Sequence, residues 1–215
     1  GRLARELGVY LLAGSFPVRT ADGRFHNRAT LFAPDGGSAF QEKRMMTRFE
    51  TEHWGISSAG PLRVFDTALG TLGICICYDI EFPLIARAMA EAGASLLLAP
   101  SCTDTLAGYH RVRIGAQARA LENQCYVVQA PLVGAAPWSP AIDVNTGAAG
   151  IYTPVDRGFP DDGVLASGPL DQPCWVWHAV DPAELVQVRS TGQVFNYRDW
   201  PLQAPIRAGI ERQTL

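Results

Sequence analysis

Five short, continuous apolar runs constrain the fold of this chain more than any other feature of its sequence. Each run is bounded by Gly, Pro or Asp, and each has the length of a single strand. Such runs are typical of strands that are covered on both faces of a sheet. The five runs are VYLLAGSF (9–16), RATLFAP (28–34), LGICICY (72–78), ASLLLAP (94–100) and CYVVQAP (125–131).

Two segments with helical features lie between the later runs. The segment 81–94, EFPLIARAMAEAGA, has a Pro in its first turn and a Gly near its end, the expected punctuation of a helix. Its apolar stripe consists of residues 84, 85, 88 and 89. The segment 110–123, HRVRIGAQARALEN, places Val112, Ile114, Ala118 and Leu121 on one side and arginines on the other. This alternation of strand and helix predicts a layered α/β fold with partly parallel sheets.

Hairpin signals beside these units predict that the sheets are mixed. PDGG (34–37) supplies an Asp-Gly turn, and VFDTALGTLGICI (64–76) indicates a second hairpin. Further strands are expected at 148–153, 163–167 and 174–180. Because no repeat or shift in composition divides the chain, we expect a single domain over residues 1–215.

Charge and cysteine usage narrow the class of protein. The net charge is −3 and no Lys/Arg run is present, so we expect neither a nucleic-acid nor a membrane partner. Five cysteines, an odd number, suggest reduced thiols and a cytoplasmic location. No CxxC pair occurs and the four histidines are scattered, so we expect no metal and no cofactor. The chain begins with Gly in the middle of an element, which suggests that an N-terminal segment is missing.

Cys77 is the candidate nucleophile. A strand ends there, Tyr78 and Asp79 follow, and a helix begins within a few residues. Backbone N–H groups at such an elbow favour a thiolate, and the carboxyl edge of a sheet is where ligands bind. The alternative is that Cys77 is a core residue, as expected for Cys75. Cys102, in PSCTDT, lies at the same edge and is expected to be a pocket wall.

Lys43 is the single lysine among eighteen basic residues. Lysine carries a compact charge with three donors, whereas arginine is a planar fork. A site that needs a small point charge beside reacting atoms requires lysine. The alternative is a surface position where the two residues are equivalent.

Taken together, these motifs resemble the nitrilase superfamily of carbon–nitrogen hydrolases. The matching segments are GVYLLAGSFP, NRATLFAPDG, EKRMM, GTLGICICYDIEFP, GASLLLAPS and ARALENQCYVV. The resemblance implies a four-layer α-β-β-α sandwich with two mixed β-sheets and a Glu-Lys-Cys catalytic set.

Carried over to this sequence, the resemblance makes Cys77 the nucleophile and Lys43 the catalytic lysine. The family often has a further glutamate between the lysine and the cysteine. Glu52 matches it in the pattern Glu-x-Trp, and Glu50 is the alternative candidate. The family's first catalytic glutamate, the general base, would precede Gly1. The backbone N–H of Tyr78 is expected to stabilise an oxyanion together with Lys43.

Five side chains are candidates for contacting the substrate. An arginine at the start of the second helix would hold a carboxylate in two hydrogen bonds, although a solvated helical face is the alternative. The five candidates are Trp54, Cys102, His110, Arg111 and Trp138.

The expected activity is hydrolysis of small linear amides through a thioester, without a cofactor. Nitriles or N-carbamoyl compounds are alternative substrates, and acyl transfer is an alternative reaction. A non-catalytic binding or assembly module of the same fold is the alternative from another class. The resemblance also implies a homodimer or higher homo-oligomer.

Overall fold

The computed structural model describes residues 1–58 and 60–214. In the described residues the strands are β1 (Leu11–Arg19), β2 (Phe25–Phe32), β3 (Ser38–Glu42), β4 (Val64–Thr67), β5 (Gly70–Ile74), β6 (Leu96–Ser101), β7 (Tyr126–Pro131), β8 (Gly134–Ala135), β9 (Val144–Asn145), β10 (Gly150–Tyr152) and β11 (Val164–Ser167). The α-helices are α1 (Arg2–Leu7), α2 (Arg48–Glu52), α3 (Pro83–Glu91), α4 (Leu106–Asn123), α5 (Pro182–Thr191) and α6 (Asn196–Asp199). Two 3₁₀-helices span Cys77–Glu81 and Trp200–Ala208.

The smaller main sheet has the order β1-β2-β3, and both of its strand pairs are antiparallel. The predicted hairpin at 34–37 connects β2 to β3, with Phe32 opposite Ser38. Gly36 adopts a φ of 97° in this turn, a conformation that side chains other than glycine rarely adopt.

The larger sheet has the order β11-β10-β7-β6-β5-β4. β5, β6 and β7 are parallel because α3 and α4 form the crossovers between them. The predicted hairpin at 64–76 is present as the antiparallel pair β4–β5. The larger sheet is therefore mixed, as predicted, whereas the smaller sheet is antiparallel because hairpins connect its strands.

Alternate residues of β6 face two different cores. Leu97 and Ala99 pack with Met89 of α3 and Val112 of α4. Leu96 and Leu98, on the opposite face, pack with the cluster that contains Leu31 of the smaller sheet. The larger sheet is thus buried between the two helices and the smaller sheet, which explains its continuous apolar runs.

The buried faces of the helices differ from the predicted stripes. In α3, Leu84 is 61% exposed, while Ala86 and Ala90 are fully buried. In α4, Val112 of the predicted stripe is buried but Ile114 is 65% exposed, and several other buried positions are small or charged, such as Ala116 and Arg119. Small residues allow α4 to approach the elbow closely, so hydrophobicity alone locates only part of the buried face: Met89 and Val112 are buried as predicted, and Leu84 and Ile114 are not.

The segment 174–180, predicted to be a strand, has no regular secondary structure. Its tryptophans are among the most exposed large apolar side chains of the described residues, with Trp175 at 95% and Trp177 at 83%. By contrast, β10 and β11 lie within the predicted segments 148–153 and 163–167.

Candidate active site

The backbone at Cys77 turns sharply between β5 and the 3₁₀-helix. Cys77 has a φ of 50°, in the left-handed region that residues other than glycine rarely adopt. The buried carboxylate of Asp79 holds this turn by accepting the N–H of Ile76 at 3.2 Å. The same carboxylate accepts the N–H groups of Arg44 at 3.1 Å and Met45 at 2.7 Å. Asp79 therefore ties the elbow to the segment that follows Lys43.

Lys43 directly follows β3 and is almost completely buried. Its Nζ lies 2.5 Å from Oε2 of Glu50, whose side chain is also buried. Within the described residues, Glu50 is the side chain that accepts a hydrogen bond from this ammonium. An ammonium has three donors, so two remain for a bound molecule.

Glu50 is held by donors from three segments of the chain. Asn27 on β2 donates its amide N–H to Oε1 at 3.0 Å. The backbone N–H and the hydroxyl of Thr47 donate to Oε2 at 2.9 and 3.0 Å. Thr47 and Glu50 form a capping box at the start of α2. The carboxylate that orients Lys43 is therefore itself fixed.

Two opposing effects set the pKa values of Cys77 and Glu50: burial disfavours their charged forms, and nearby charges and hydrogen bonds favour them. Burial raises the pKa of the Cys77 thiol, and the nearby charge of Lys43 only partly opposes this effect. Burial also raises the pKa of Glu50, but Lys43, Thr47 and Asn27 outweigh it, so the pKa is lowered overall. The prediction that the elbow favours a thiolate is therefore wrong for this structure. Desolvation of the sulfur dominates, and a proton acceptor is needed to generate the nucleophile.

An open cleft of about 1350 Å³ connects the candidate residues. The thiol of Cys77 donates to the carbonyl oxygen of Cys102 at 3.4 Å at its edge. Of the residues predicted from the sequence, the cleft is lined by Lys43, Trp54, Cys77, Tyr78, Cys102 and Arg111. A thiol and a buried ammonium in one cleft are groups that can serve as a nucleophile and as a stabilising positive charge.

Glu52 does not lie at this site. It is exposed at the end of α2 and forms a salt bridge with Arg48 at 2.9 Å. Glu50, two residues earlier, faces Lys43 instead. The Thr-x-x-Glu capping pattern at 47–50 was the sequence signal that favours Glu50, because it fixes that side chain at the helix start. We therefore transfer the supporting role from Glu52 to Glu50.

His110 and Trp138 are not among the residues that line the cleft. The His110 ring packs on the ring of Tyr109, with centroids 5.1 Å apart, and Trp138 is 80% exposed. Sequence reasoning missed Asn27 and Thr47, which donate to Glu50, and Glu81, which lines the cleft. The sequence signal that could have identified Glu81 as a site residue is its charge, four residues after Cys77.

In the described part of the chain, no three His, Cys, Asp or Glu side chains are grouped as a metal site requires. Among the helices of residues 1–58 and 60–214, none has both the length and the apolar character needed to span a bilayer.

Comparison with known proteins identifies related sequences and folds. Residues 1–161 match the family described as carbon-nitrogen hydrolase. The probable hydrolase YhcX of Bacillus subtilis is 39% identical over 197 residues, which cover 92% of this chain and 38% of that protein. The omega-amidase NIT2-B of Xenopus laevis is 33% identical over 138 residues, which cover 60% of this chain and 49% of that protein. This chain therefore spans less than half the length of these two relatives.

A structural neighbour is the carbon-nitrogen hydrolase from Helicobacter pylori G27. It superposes with a TM-score of 0.76 at 22% identity, over 97% of this chain and 70% of that chain. The similarity confirms the predicted α/β sandwich fold. At this level of identity it describes the fold alone.

Proposed function

The chain belongs to the carbon-nitrogen hydrolase family, and on this premise we propose that it hydrolyses small amides through a thioester on Cys77. The observation that carries the proposal is that the Cys77 sulfur and the buried Lys43 ammonium line one cleft. The names of the relatives, a probable hydrolase and an omega-amidase, support an amidase-type reaction.

In the proposed reaction, the sulfur of Cys77 attacks the amide carbon and a C–S bond forms. The thiol proton passes to a carboxylate base, which then donates it to the departing amine as the C–N bond breaks. Water, activated by the same base, hydrolyses the thioester and regenerates the thiol. Glu50 is a poor candidate for this base, because its pKa is lowered and its oxygens already accept hydrogen bonds. In the family resemblance, this base is the first glutamate of the Glu-Lys-Cys set.

Lys43 and the backbone N–H of Tyr78 are the proposed donors to the oxyanion. The first N–H groups of a helix have no partner within it, and Tyr78 lies in the first turn of the 3₁₀-helix. Glu50 acts as a positioning residue, because it holds the Lys43 ammonium without touching the reacting atoms. Losing one oxyanion donor costs about 10² to 10³ in rate.

The test is to trap the acyl group. The protein is mixed with acetamide or propionamide, quenched in acid and digested, and the peptide that contains Cys77 is examined by mass spectrometry while released ammonia is measured. We expect the mass of the acyl group on Cys77 and ammonia release that Cys77→Ala abolishes. Cys174→Ser is the matched control, because Cys174 is exposed and lies outside the cleft residues. Ammonia release that survives Cys77→Ala would exclude the proposal.

Assembly and location remain parts of this proposal. We expect a cytoplasmic homodimer or larger homo-oligomer, on the basis of the family resemblance. Light scattering of the purified protein measures the oligomeric state directly, and a monomeric mass at micromolar concentration would contradict it.

A further inference from the structure

We infer that the preferred substrates are amides that carry a positively charged amino group, and that Glu81 binds this group. The inference rests on the proposed amide hydrolysis at Cys77 and specifies its substrate class. It makes Glu81 a specificity-determining residue.

Glu81 is placed by the same short element that presents Cys77. The 3₁₀-helix begins at Cys77 and ends at Glu81, so the two residues are separated by about one and a third turns, or roughly 8 Å along the helix axis. Both line the large cleft. Glu81 also lines an adjacent depression of about 280 Å³ together with Arg111, so it forms part of the wall between the two spaces. The charge of Glu81 is near enough to the sulfur to contribute to the raised pKa of Cys77, so a substrate bound at the sulfur would lie within reach of its field.

The carboxylate of Glu81 has unused capacity to accept hydrogen bonds. Its side chain is only 20% exposed, yet the nearest cation among the described side chains, Nε of Arg111, lies 3.8 Å from Oε2. That separation is too long for a hydrogen bond. Glu50 and Asp79, by comparison, each accept several short hydrogen bonds. Burial raises the pKa of Glu81, with Arg111 and Lys43 opposing, as expected for a carboxylate that lacks sufficient donors.

The remaining charges of the cleft favour a cation. The pair Lys43–Glu50 is internally neutral, and Arg48 is neutralised by Glu52 outside the cleft. The charged residues that remain in the lining are Glu81, Asp104, Asp143 and Arg111. Three carboxylates against one guanidinium make the wall around the substrate negative, which attracts cations and repels anions.

Arg111 does not reverse this conclusion. The sequence suggested that it holds a substrate carboxylate, but the guanidinium faces Glu81 and its side chain is 63% exposed. A carboxylate bound there would lie beside Glu81 and would be repelled. An ammonium would instead replace the long contact with Arg111 by charged hydrogen bonds to Glu81.

The test compares three primary amides of similar length. γ-Aminobutyramide is cationic, valeramide has a methyl group in place of the ammonium, and succinamate is anionic. For the wild-type protein we expect kcat/KM to be about tenfold higher for γ-aminobutyramide than for valeramide, and lowest for succinamate. The readout is the ratio between substrates, because a general loss of activity in a variant cancels from it.

Two variants move this ratio in opposite directions. Glu81→Gln should bring the ratio of γ-aminobutyramide to valeramide close to one, chiefly through KM. Arg111→Gln removes the competing cation and should raise the ratio. Glu6→Gln is the control of matched chemistry, because Glu6 is exposed and neither it nor its salt-bridge partner Arg2 is among the cleft residues.

The outcomes separate this inference from the proposed function. If none of the three amides acylates Cys77, the proposed function fails. If all three acylate it with equal efficiency, or if Glu81→Gln leaves the ratio unchanged, only the role of Glu81 fails. If Glu81→Gln does not fold, an unchanged ratio in Arg111→Gln overturns the inference by itself.

Discussion

The ammonium of Lys43 lies 2.5 Å from the carboxylate of Glu50, and both side chains are more than nine-tenths buried. This buried pair is connected to β2 through Asn27 and to the start of α2 through Thr47. The geometry places one compact positive charge at the wall of the cleft and leaves part of its donor capacity free. Four predictions follow from this arrangement and from the buried groups around it.

Lys43→Arg should leave the protein folded and nearly inactive. The guanidinium is larger and spreads its charge over a plane, so it does not reproduce a point charge beside the sulfur. We expect activity on a small amide to fall by about 10² to 10³, as for the loss of an oxyanion donor. Ammonia release measures the activity, and circular dichroism checks the fold. A folded variant with more than about a tenth of the wild-type turnover would contradict this role of Lys43.

Glu50→Gln should destabilise the protein and reduce its activity, whereas Glu52→Gln should do neither. Removing one partner of a buried ion pair leaves an unpaired charge and costs about 3–5 kcal/mol of unfolding free energy. Glu52 is exposed, and its salt bridge with Arg48 contributes at most about 1 kcal/mol. Urea unfolding of both variants provides the comparison. Equal effects of the two substitutions would show that Glu50 has no special role.

Alkylation of Cys77 by iodoacetamide should become faster as the pH rises above neutral. The thiolate is the reactive form, and burial raises the pKa of Cys77 above its usual value. Lys43→Gln removes the charge that opposes this shift, so its reaction should be slower than the wild-type reaction at any one pH. Mass spectrometry of the Cys77 peptide gives the rate.

Arg48→Gln is the control for this comparison, because Arg48 is a cleft cation that is already paired with Glu52. We expect its alkylation profile to match that of the wild type. A Lys43→Gln profile that overlays the wild-type profile would mean that Lys43 does not act on the sulfur.

Asp79→Asn should change how stability depends on pH. Burial raises the pKa of Asp79 to about 6 from its ordinary value of 3.8, despite the hydrogen bonds it accepts from backbone N–H groups. Between these two values the folded state binds more protons than the unfolded state, so this group lowers the free energy of unfolding as the pH rises. Below pH 3.8 Asp79 does not lower the free energy of unfolding, and above about pH 6 it lowers that free energy by about 3 kcal/mol.

The measurement is urea unfolding of wild type and Asp79→Asn between pH 4 and about pH 7. Glu42 and Glu50 have lowered pKa values and act in the opposite direction, stabilising the protein until the pH falls through their folded-state values. Only the difference between the two proteins therefore reports Asp79. Parallel profiles for the two proteins would refute the raised pKa.

Local sequence patterns predicted much of the fold. The hairpin at 34–37 and the crossovers around β6 were recognisable because Asp-Gly turns, short apolar runs and an N-terminal Pro act over a few residues. The buried faces of α3 and α4 were recognisable only in part, because alanine and glycine at close helix contacts contribute little to an apolar stripe. Gly115 of α4 illustrates this, since a Cβ atom there would lie 3.0 Å from the carbonyl oxygen of Ile80.

The sequence by itself determined the family of this protein and singled out Cys77 and Lys43, because a rare residue type and a local strand-to-helix motif need no knowledge of distant contacts. The capping pattern at 47–50 favours Glu50, but only the tertiary structure showed that Glu50, and not Glu52, contacts Lys43. These two carboxylates lie two residues apart on one short helix, and the choice depends on which side packs against β2 and Lys43. The same is true of the raised pKa of Cys77 and of the position of Glu81 beside Arg111, because burial and charge pairing arise from segments that are brought together by folding.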